Sequence, residues 1–243
     1  MTKIFCDSGD LNGIKEAAKN LKVMGFTTNP TLLAKAGVTD YEGFAKEAIN
    51  FLRTNRPDTS LSLEVFATDK ETIVKQAKKI ASWGDSEDYT VYVKIPVVNP
   101  DATYNYDIIK ELSDQININV TAVFTENQIY SSIQSLKGSN NRHIISIFAG
   151  RLADIGHDPI QKFSFARKHC FYNHKEIKFL WASTRQPYNY MEAENSMIDI
   201  ITMSPDQITK VDNFFKKDPE KFSIETSAMF ANDALNSGFT INV

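Results

Sequence analysis

The 243-residue sequence has few cysteines and few histidines, and neither type is spaced as metal ligands are. Cys6 and Cys170 lie far apart with no CxxC pattern, which predicts two reduced, buried thiols. The four histidines form no HxxxH or HxH pair. We therefore expect no metal site.

The sequence also lacks an excess of positive charge and any long apolar run. Lysine and arginine number 27 against 30 aspartates and glutamates, giving a formal net charge of −3. Without a basic block, the chain is predicted to bind neither nucleic acid nor a membrane surface. No apolar stretch approaches the ~20 residues that cross a bilayer. The first residues lead directly into a strand-like segment, so we expect no signal peptide and a cytoplasmic location.

Short apolar runs rich in β-branched residues alternate with longer amphipathic stretches. This alternation predicts parallel βαβ units, and eight such units at this length predict an α/β fold of the (β/α)₈ (TIM) barrel type. An open doubly wound sheet is the alternative, but neither G-x-G-x-x-G nor G-x-x-x-x-G-K-[ST] occurs. The predicted strands are 3–7, 23–28, 61–67, 89–97, 117–124, 143–150, 177–183 and 197–204.

Helical patterns with capping residues lie between these strands, for example 68–84, with Thr68 as the predicted cap. No linker divides the chain, so we expect one barrel domain over 1–243, in which 219–243 forms an additional C-terminal helix and tail. The apolar residues of this helix are expected to pack on the barrel or on a neighbouring subunit, which would make the protein a homo-oligomer. They are Phe222, Ile224, Met229, Phe230 and Ala234.

One lysine interrupts the apolar run "VYVKIPVV". Lys94 lies in the predicted fourth strand, and lysines are almost never fully buried unless they are paired or have a chemical role. The residue could extend from the strand end to water, or its amine could react.

Other polar residues follow the ends of the predicted strands. The carboxyl ends of barrel strands carry the active site, so these side chains are expected to meet there. Each also has a structural explanation: Asp7 as a helix cap, Asn29 as a turn residue, Glu64 and Lys94 as a buried ion pair, and the arginines as surface charges. Their concurrence at one end of one barrel favours a site. The residues are Asp7, Asn29, Glu64, Lys94, Asn119, Thr121, Ser146, Arg151, Ser183 and Arg185.

Such a set suits imine chemistry on a phosphorylated substrate. A neutral lysine amine attacks a carbonyl carbon and gives a Schiff base, which acts as an electron sink. Carboxylates and a water held by a hydroxyl can carry the required proton transfers. Arginine forks suit a phosphate. The residues therefore predict an imine-forming lyase or transferase that acts on a phosphorylated carbonyl compound.

Seven motifs in order, from about residue 4 to 204, carry a family resemblance: "CDSGD", "GFTTNPTLL", "LEVFA", "VYVKIPV", "NVTAVFT", "SIFAGRLAD" and "WASTR". Together they resemble the transaldolase family, in its short form related to fructose-6-phosphate aldolase. The resemblance implies a (β/α)₈ barrel that uses no metal and no cofactor. It also implies transfer of a dihydroxyacetone unit from sedoheptulose 7-phosphate to glyceraldehyde 3-phosphate, giving erythrose 4-phosphate and fructose 6-phosphate.

The resemblance assigns a role to each site residue. Lys94 would form the Schiff base, Asp7 would act as acid and base beside the breaking carbon–carbon bond, and Glu64 and Thr121 would hold a proton-shuttling water. The remaining residues, together with Phe148, would bind substrate. Asn29 and Asn119 would bind the dihydroxyacetone hydroxyls, Ser146 would line the channel, and Arg151, Ser183 and Arg185 would hold the phosphate.

Two positions help to decide whether the predicted activity is that of a transferase or that of a free aldolase. The related aldolases carry Gln and Tyr where this chain has Glu64 and Phe148, so the pattern favours a transaldolase over a free aldolase. A barrel that binds sugar phosphates without turnover is a third hypothesis. Thr184 replaces the usual Phe of the Ala-Ser-Phe sequence, which leaves the shape of the phosphate pocket open. His157 follows Arg151 and is expected either as a solvated loop residue or as a phosphate contact.

Overall fold

The computed structural model describes residues 1–84, 89–170 and 177–241 and forms a closed barrel of eight parallel strands. Each strand pairs with the next in chain order, and the last pairs with the first. The (β/α)₈ prediction is confirmed. The strands are β1 (Lys3–Asp7), β2 (Val23–Thr27), β3 (Ser60–Glu64), β4 (Thr90–Pro96), β5 (Ile118–Val123), β6 (His143–Ile147), β7 (Ile177–Trp181) and β8 (Ile200–Met203).

The helices surround the barrel, with two each in the β2–β3 and β6–β7 connections. They are α1 (Leu11–Ala17), α2 (Pro30–Lys35), α3 (Tyr41–Asn55), α4 (Lys70–Trp83), α5 (Tyr106–Ser113), α6 (Glu126–Leu136), α7 (Ala149–Asp154), α8 (Pro159–Cys170), α9 (Asn189–Asn195), α10 (Pro205–Asp212) and α11 (Pro219–Asn236).

Several predicted strands are too long at their carboxyl ends. After Glu64, the Val65 amide still donates to the Lys94 carbonyl oxygen of β4. Pairing stops there because the amides of Phe66 and Ala67 donate to Gln76 Oε1 on α4 instead. The sixth prediction, 143–150, runs into α7, so Phe148 and Gly150 are not strand residues. The apolar run continues past the point where pairing stops, so the sequence pattern cannot mark the boundary. The predicted cap Thr68 is also wrong by one residue, since Asp69 accepts from the Thr72 amide.

Alternation along β4 sets the direction of its lysine. Val91, Val93 and Ile95 belong to the core between the strands and the helices. Tyr92 packs in the smaller cluster inside the barrel with Phe5. Side chains two apart on a strand share a face, so Lys94 points inward above Tyr92.

The C-terminal helix α11 buries none of its side chains against the barrel. Phe222, Ile224, Met229 and Phe230 are 51–66% exposed. They are therefore not packed on the barrel, which was one of the two expectations, and at 100° per residue Phe222 and Ile224 lie on nearly opposite sides of the helix. The predicted tail extends to 243, and its last two residues lie outside the described ranges. None of the helices in the described ranges is long and apolar enough to cross a membrane.

Candidate active site

A cavity of about 580 Å³ opens at the carboxyl end of the barrel. All of the site residues predicted from the sequence line it, with the exception of Asn119. His157 lies outside the lining and is exposed, so the structure favours its interpretation as a loop residue.

Lys94 lies at this cavity with its side chain almost fully buried, at 7% exposure. Its Nζ lies 2.8 Å from Glu64 Oε2 and donates to the Thr28 carbonyl oxygen at 2.7 Å. Glu64 and Lys94 are register partners on adjacent strands, which brings the pair together. The predicted ion pair therefore forms, and it forms inside the cavity, where Glu64 can exchange a proton with the amine.

Asp7 faces the same cavity from the end of β1. Thr27 Oγ1 donates to Asp7 Oδ1 at 2.7 Å. Burial raises the pKa of Asp7 above its usual value, against the opposing effects of Lys94 and of the Thr27 hydrogen bond. Asp7 does not cap α1, because Asp10 accepts from the Gly13 amide instead. The carboxyl is thus available for proton transfer.

Thr121 is buried at the cavity wall, and its hydroxyl has no hydrogen-bond partner within the described ranges. A register shift in β5 surrounds it, with Ala122 at φ 57°. Such bulges redirect side chains beside active sites. A buried hydroxyl without a partner, on a residue that lines a cavity, is a candidate to hydrogen-bond water or substrate there.

Asn119 lies below the cavity and is fully buried. Its Nδ2 donates to Ser62 Oγ at 3.2 Å, and its Oδ1 accepts from Ser146 Oγ at 2.7 Å. Asn119 therefore orients Ser146, which does line the cavity. Asn29 has a local structural role, since its side chain accepts from the Leu32 amide and caps α2. It also lines the cavity, where a substrate-binding residue was expected.

The arginines lie at the exposed rim. The Arg151 guanidinium is 5.4 Å from the centre of the Phe148 ring. The Arg185 guanidinium pairs with the Asp154 carboxylate: Nε donates to Oδ2 at 2.9 Å and Nη2 donates to the same oxygen at 2.5 Å. These hydrogen bonds lower the pKa of Asp154. Ser183, which also lines the cavity, has a left-handed backbone with φ 64°.

Sequence reasoning gave no role to several residues of the lining. Thr27 and Thr202 are strand-end hydroxyls, and that position was a signal that could have identified them. Asp154 contacts the site through Arg185, and its spacing of three residues from Arg151 on one helix was the available signal. The other lining residues without an assigned role include Thr31, Lys35, Thr184, Ser204 and Gln207.

A larger cavity, of about 840 Å³, opens at the amino end of the barrel. It is lined by strand-start residues such as Lys3, Thr90 and Lys178, with Lys178 Nζ 3.5 Å from Asp199. Barrel enzymes place their chemistry at the carboxyl end, where Lys94, Glu64 and Asp7 meet. Size alone therefore does not locate the active site here.

Comparison with known proteins agrees with this geometry. The family model described as Transaldolase/Fructose-6-phosphate aldolase matches residues 4–240. The chain belongs to the transaldolase/fructose-6-phosphate aldolase family. A protein of Dehalococcoides mccartyi named "Probable transaldolase" is 32% identical over 83% of this chain and 86% of its own length. A protein of the same name from Nitrosopumilus maritimus is 33% identical over 86% of each chain.

Family membership makes the chain an enzyme of the transaldolase and aldolase type. Among solved structures, the YdjI aldolase of Escherichia coli aligns with a TM-score of 0.54 over 84% of this chain and 75% of its own. At 11% identity, that likeness shows the shared barrel fold alone.

Proposed function

We propose that the protein is a transaldolase that moves a dihydroxyacetone unit between sugar phosphates through a Schiff base on Lys94. The observation that carries the proposal is the position of the Lys94 amine, buried in the cavity between the carboxylate of Glu64 and the Thr28 carbonyl. A purely structural lysine needs no cavity beside its amine. Asp7 and Thr121 line the same cavity and supply the further groups that imine chemistry requires.

In the first stage, Lys94 loses a proton to Glu64 and attacks the ketose carbonyl carbon. The new carbon–nitrogen bond gives a carbinolamine, and loss of its hydroxyl as water gives the imine. A water held between Glu64 and the Thr121 hydroxyl would carry the protons. The unpartnered hydroxyl of Thr121 and the proximity of Glu64 to the amine support this role.

In the second stage, Asp7 takes the proton of the hydroxyl next to the carbon–carbon bond that breaks. The bonding electrons pass to the imine and leave an enamine on Lys94, while erythrose 4-phosphate departs. The enamine then attacks the aldehyde of glyceraldehyde 3-phosphate, and Asp7 returns the proton to the new alkoxide. A raised pKa suits a carboxyl that must both accept and return a proton. Hydrolysis of the imine releases fructose 6-phosphate.

The rim residues would bind the phosphate. Arg151 and Arg185 supply cationic donors, and Ser183, which lines the same cavity, supplies a hydroxyl. Asp154 occupies one edge of the Arg185 fork, so the phosphate would use the remaining N–H groups or displace Asp154. Asn29 would bind the dihydroxyacetone hydroxyls, with Ser146 oriented from below by Asn119.

Borohydride reduction in the presence of fructose 6-phosphate tests the imine. We expect one three-carbon adduct per chain, located at Lys94 by peptide mass spectrometry and lost in Lys94→Met. The matched control is Lys35→Met, which removes another lysine of the cavity lining and keeps the adduct. Full transfer activity in Lys94→Met would exclude the mechanism. Stabilisation by sugar phosphates, without an adduct or turnover, would indicate the non-catalytic binder.

A coupled assay with and without glyceraldehyde 3-phosphate separates transferase from free aldolase. Phe148 is half-buried, and the centre of its ring lies 5.6 Å from the centre of the Phe124 ring. Unlike a tyrosine, it has no hydroxyl that could help a water molecule to protonate the enamine. We expect release of dihydroxyacetone without an acceptor to be much slower than transfer. Phe148→Tyr should raise that release, with Phe124→Tyr as the control. Equal rates with and without acceptor would favour the aldolase.

We also propose that a second copy of this chain covers α11. Exposed apolar side chains on a helix that buries none of its residues are unfavourable in water, and most helices in proteins depend on packing for their stability. Light scattering with size-exclusion chromatography should show an oligomer. The pair Phe222→Ser and Met229→Ser should dissociate it, whereas Lys221→Ser should not. A monomeric wild type would contradict the proposal.

A further inference from the structure

Three side chains form a line of hydrogen bonds across adjacent strands at the catalytic end. Thr27 Oγ1, on β2, donates to Asp7 Oδ1 at 2.7 Å. Thr202 Oγ1, on β8, lies 2.6 Å from Thr27 Oγ1. Both threonines are at most 5% exposed, and both contribute to the cavity lining. The line thus joins two buried hydroxyls to the carboxyl of Asp7.

The direction of these hydrogen bonds follows from counting protons. A threonine hydroxyl has one hydrogen, and Thr27 uses it on the charged carboxylate of Asp7. The hydrogen between the two threonines must then come from Thr202. If Asp7 is protonated at Oδ1, the line can reverse: Asp7 donates to Thr27, Thr27 donates to Thr202, and the Thr202 hydrogen turns into the cavity it lines. Both protonation states of Asp7 thus keep Thr27 fully hydrogen-bonded.

Other contacts fix the backbone of Thr202. Thr184 Oγ1 donates to the Thr202 carbonyl oxygen at 2.6 Å. Gln207 Nε2 donates in turn to the Thr184 carbonyl oxygen at 3.3 Å. Thr184 is the residue that departs from the Ala-Ser-Phe sequence, and here its hydroxyl holds β8 beside Thr27. The backbone of Thr202 is therefore held by contacts that do not involve Asp7.

We propose that Thr202 is a positioning residue for Asp7, acting through Thr27 so that the carboxyl can both accept and return a proton. This proposal rests on the function proposed above, in which Asp7 is the acid and base. The other ionisable groups that face Asp7 are Lys94 from β4 and Glu64 from β3, with the Cys6 thiol adjacent on β1. Those groups are unchanged in the variants below.

The test substitutes Thr202→Val, which keeps the side-chain volume and removes the hydroxyl. We expect kcat for transfer to fall roughly ten-fold with KM little changed, because the lost donor acts on proton transfer and not on substrate binding. The acidic limb of the kcat/KM profile should also move to higher pH, because the charged Asp7 loses support. Thr202→Ser keeps the hydroxyl and should restore both values to within about two-fold.

A double-mutant cycle separates this role from simple strand packing. If Thr202 acts only through Thr27, Thr27→Val should lower kcat at least as far as Thr202→Val, and the double variant should be no worse than Thr27→Val alone. Additive effects would overturn the proposal. An unchanged kcat and pH profile in Thr202→Val would also overturn it, as would a loss that Thr202→Ser does not restore.

Imine trapping distinguishes failure of this proposal from failure of the proposed function. Thr202→Val should still form a borohydride adduct on Lys94 with fructose 6-phosphate, because the imine forms before the step at Asp7 and uses Glu64 and Thr121. Where cleavage is slowed, the trapped adduct carries six carbons instead of three. If the wild type itself forms no adduct, the transaldolase mechanism fails. If the wild type is active and forms the adduct but Thr202→Val behaves like it, only the role of Thr202 fails. Thermal unfolding of each variant checks that the barrel remains folded.

Discussion

His143 provides a prediction about stability whose magnitude can be worked out from the structure. It begins β6 and is 1% exposed. The Ile118 backbone amide donates to His143 Nδ1 at 3.2 Å, and Nε2 lies 2.9 Å from Ser139 Oγ. Ser139 Oγ donates its own hydrogen to the Ser113 carbonyl, so Nε2 must carry the ring proton. A second proton on Nδ1 would point at the Ile118 N–H, so the site accepts only the neutral ring.

Burial accordingly lowers the pKa of His143 from its usual 6.5 to about 4, against the opposing effect of the Asp114 charge. A lowered pKa means that the unfolded chain binds the proton first as pH falls. The neutral His143 ring therefore makes its full contribution to the free energy of unfolding above about pH 6.5. This contribution is lost progressively as the pH falls to about 4. The pKa difference between the unfolded and the folded chain corresponds to about 3 kcal/mol of unfolding free energy. About 2 kcal/mol of this contribution is lost when the pH falls to about 5.

Urea unfolding of wild type and His143→Asn between pH 7.5 and about pH 5 measures this contribution. Asparagine keeps an acceptor for the Ile118 amide and cannot ionise, so the stability advantage of the wild type should shrink by about 2 kcal/mol over that range. His157→Asn, on an exposed loop, is the matched control and should follow the wild type. A difference between wild type and His143→Asn that stays constant with pH would refute the reasoning.

Two further pairs of substitutions, each a test with its control, probe the fold around the site and below it. A Cβ on Gly150 would lie 1.7 Å from the Ser183 carbonyl oxygen, so Gly150→Ala should displace the residues that bind the phosphate. In steady-state assays, KM for phosphorylated donors should rise at least ten-fold, which is roughly the loss of one good hydrogen bond. Gly156→Ala, where φ is +81° and nothing lies within 4 Å, should lower stability by about 1 kcal/mol but leave KM unchanged. Arg56 is 6% exposed and donates to three backbone carbonyls, so Arg56→Met should cost about 3 kcal/mol in urea unfolding. Asp58→Asn should cost less, because Asp58 is 52% exposed.

The fold and the centre of the candidate site could be predicted because both depend on periodicity. Eight apolar runs that alternate with helices allow few closures, and alternation along β4 directs Lys94 inward. Once the strands are in order, Glu64 must lie beside Lys94, because parallel neighbours bring their carboxyl ends together. Those inferences need only the spacing of residues along each strand.

The remaining features depend on contacts between residues far apart in the chain, which spacing does not determine. Arg185 was predicted as a phosphate ligand, but its fork with Asp154 depends on how α7 meets the turn after β7. Thr202 approaches Thr27 only because β8 closes onto β1. Strand ends were overestimated for a related reason: Gln76 ends β3 from a neighbouring helix.

The ion pair between Lys94 and Glu64 shows why structural and catalytic interpretations of a buried charge need not compete. A buried pair contributes little net stability, since desolvation offsets most of the attraction, so stability alone gives weak grounds for its presence. A nucleophilic amine, by contrast, requires a nearby base to take its proton, and Glu64 Oε2 at 2.8 Å is within reach of that transfer. The pair keeps the amine hydrogen-bonded at the cavity wall, and the same carboxylate would accept a proton from the amine when a carbonyl arrives. Its presence inside a cavity, beside Asp7 and the unpartnered hydroxyl of Thr121, therefore supports reaction at Lys94 more strongly than burial alone.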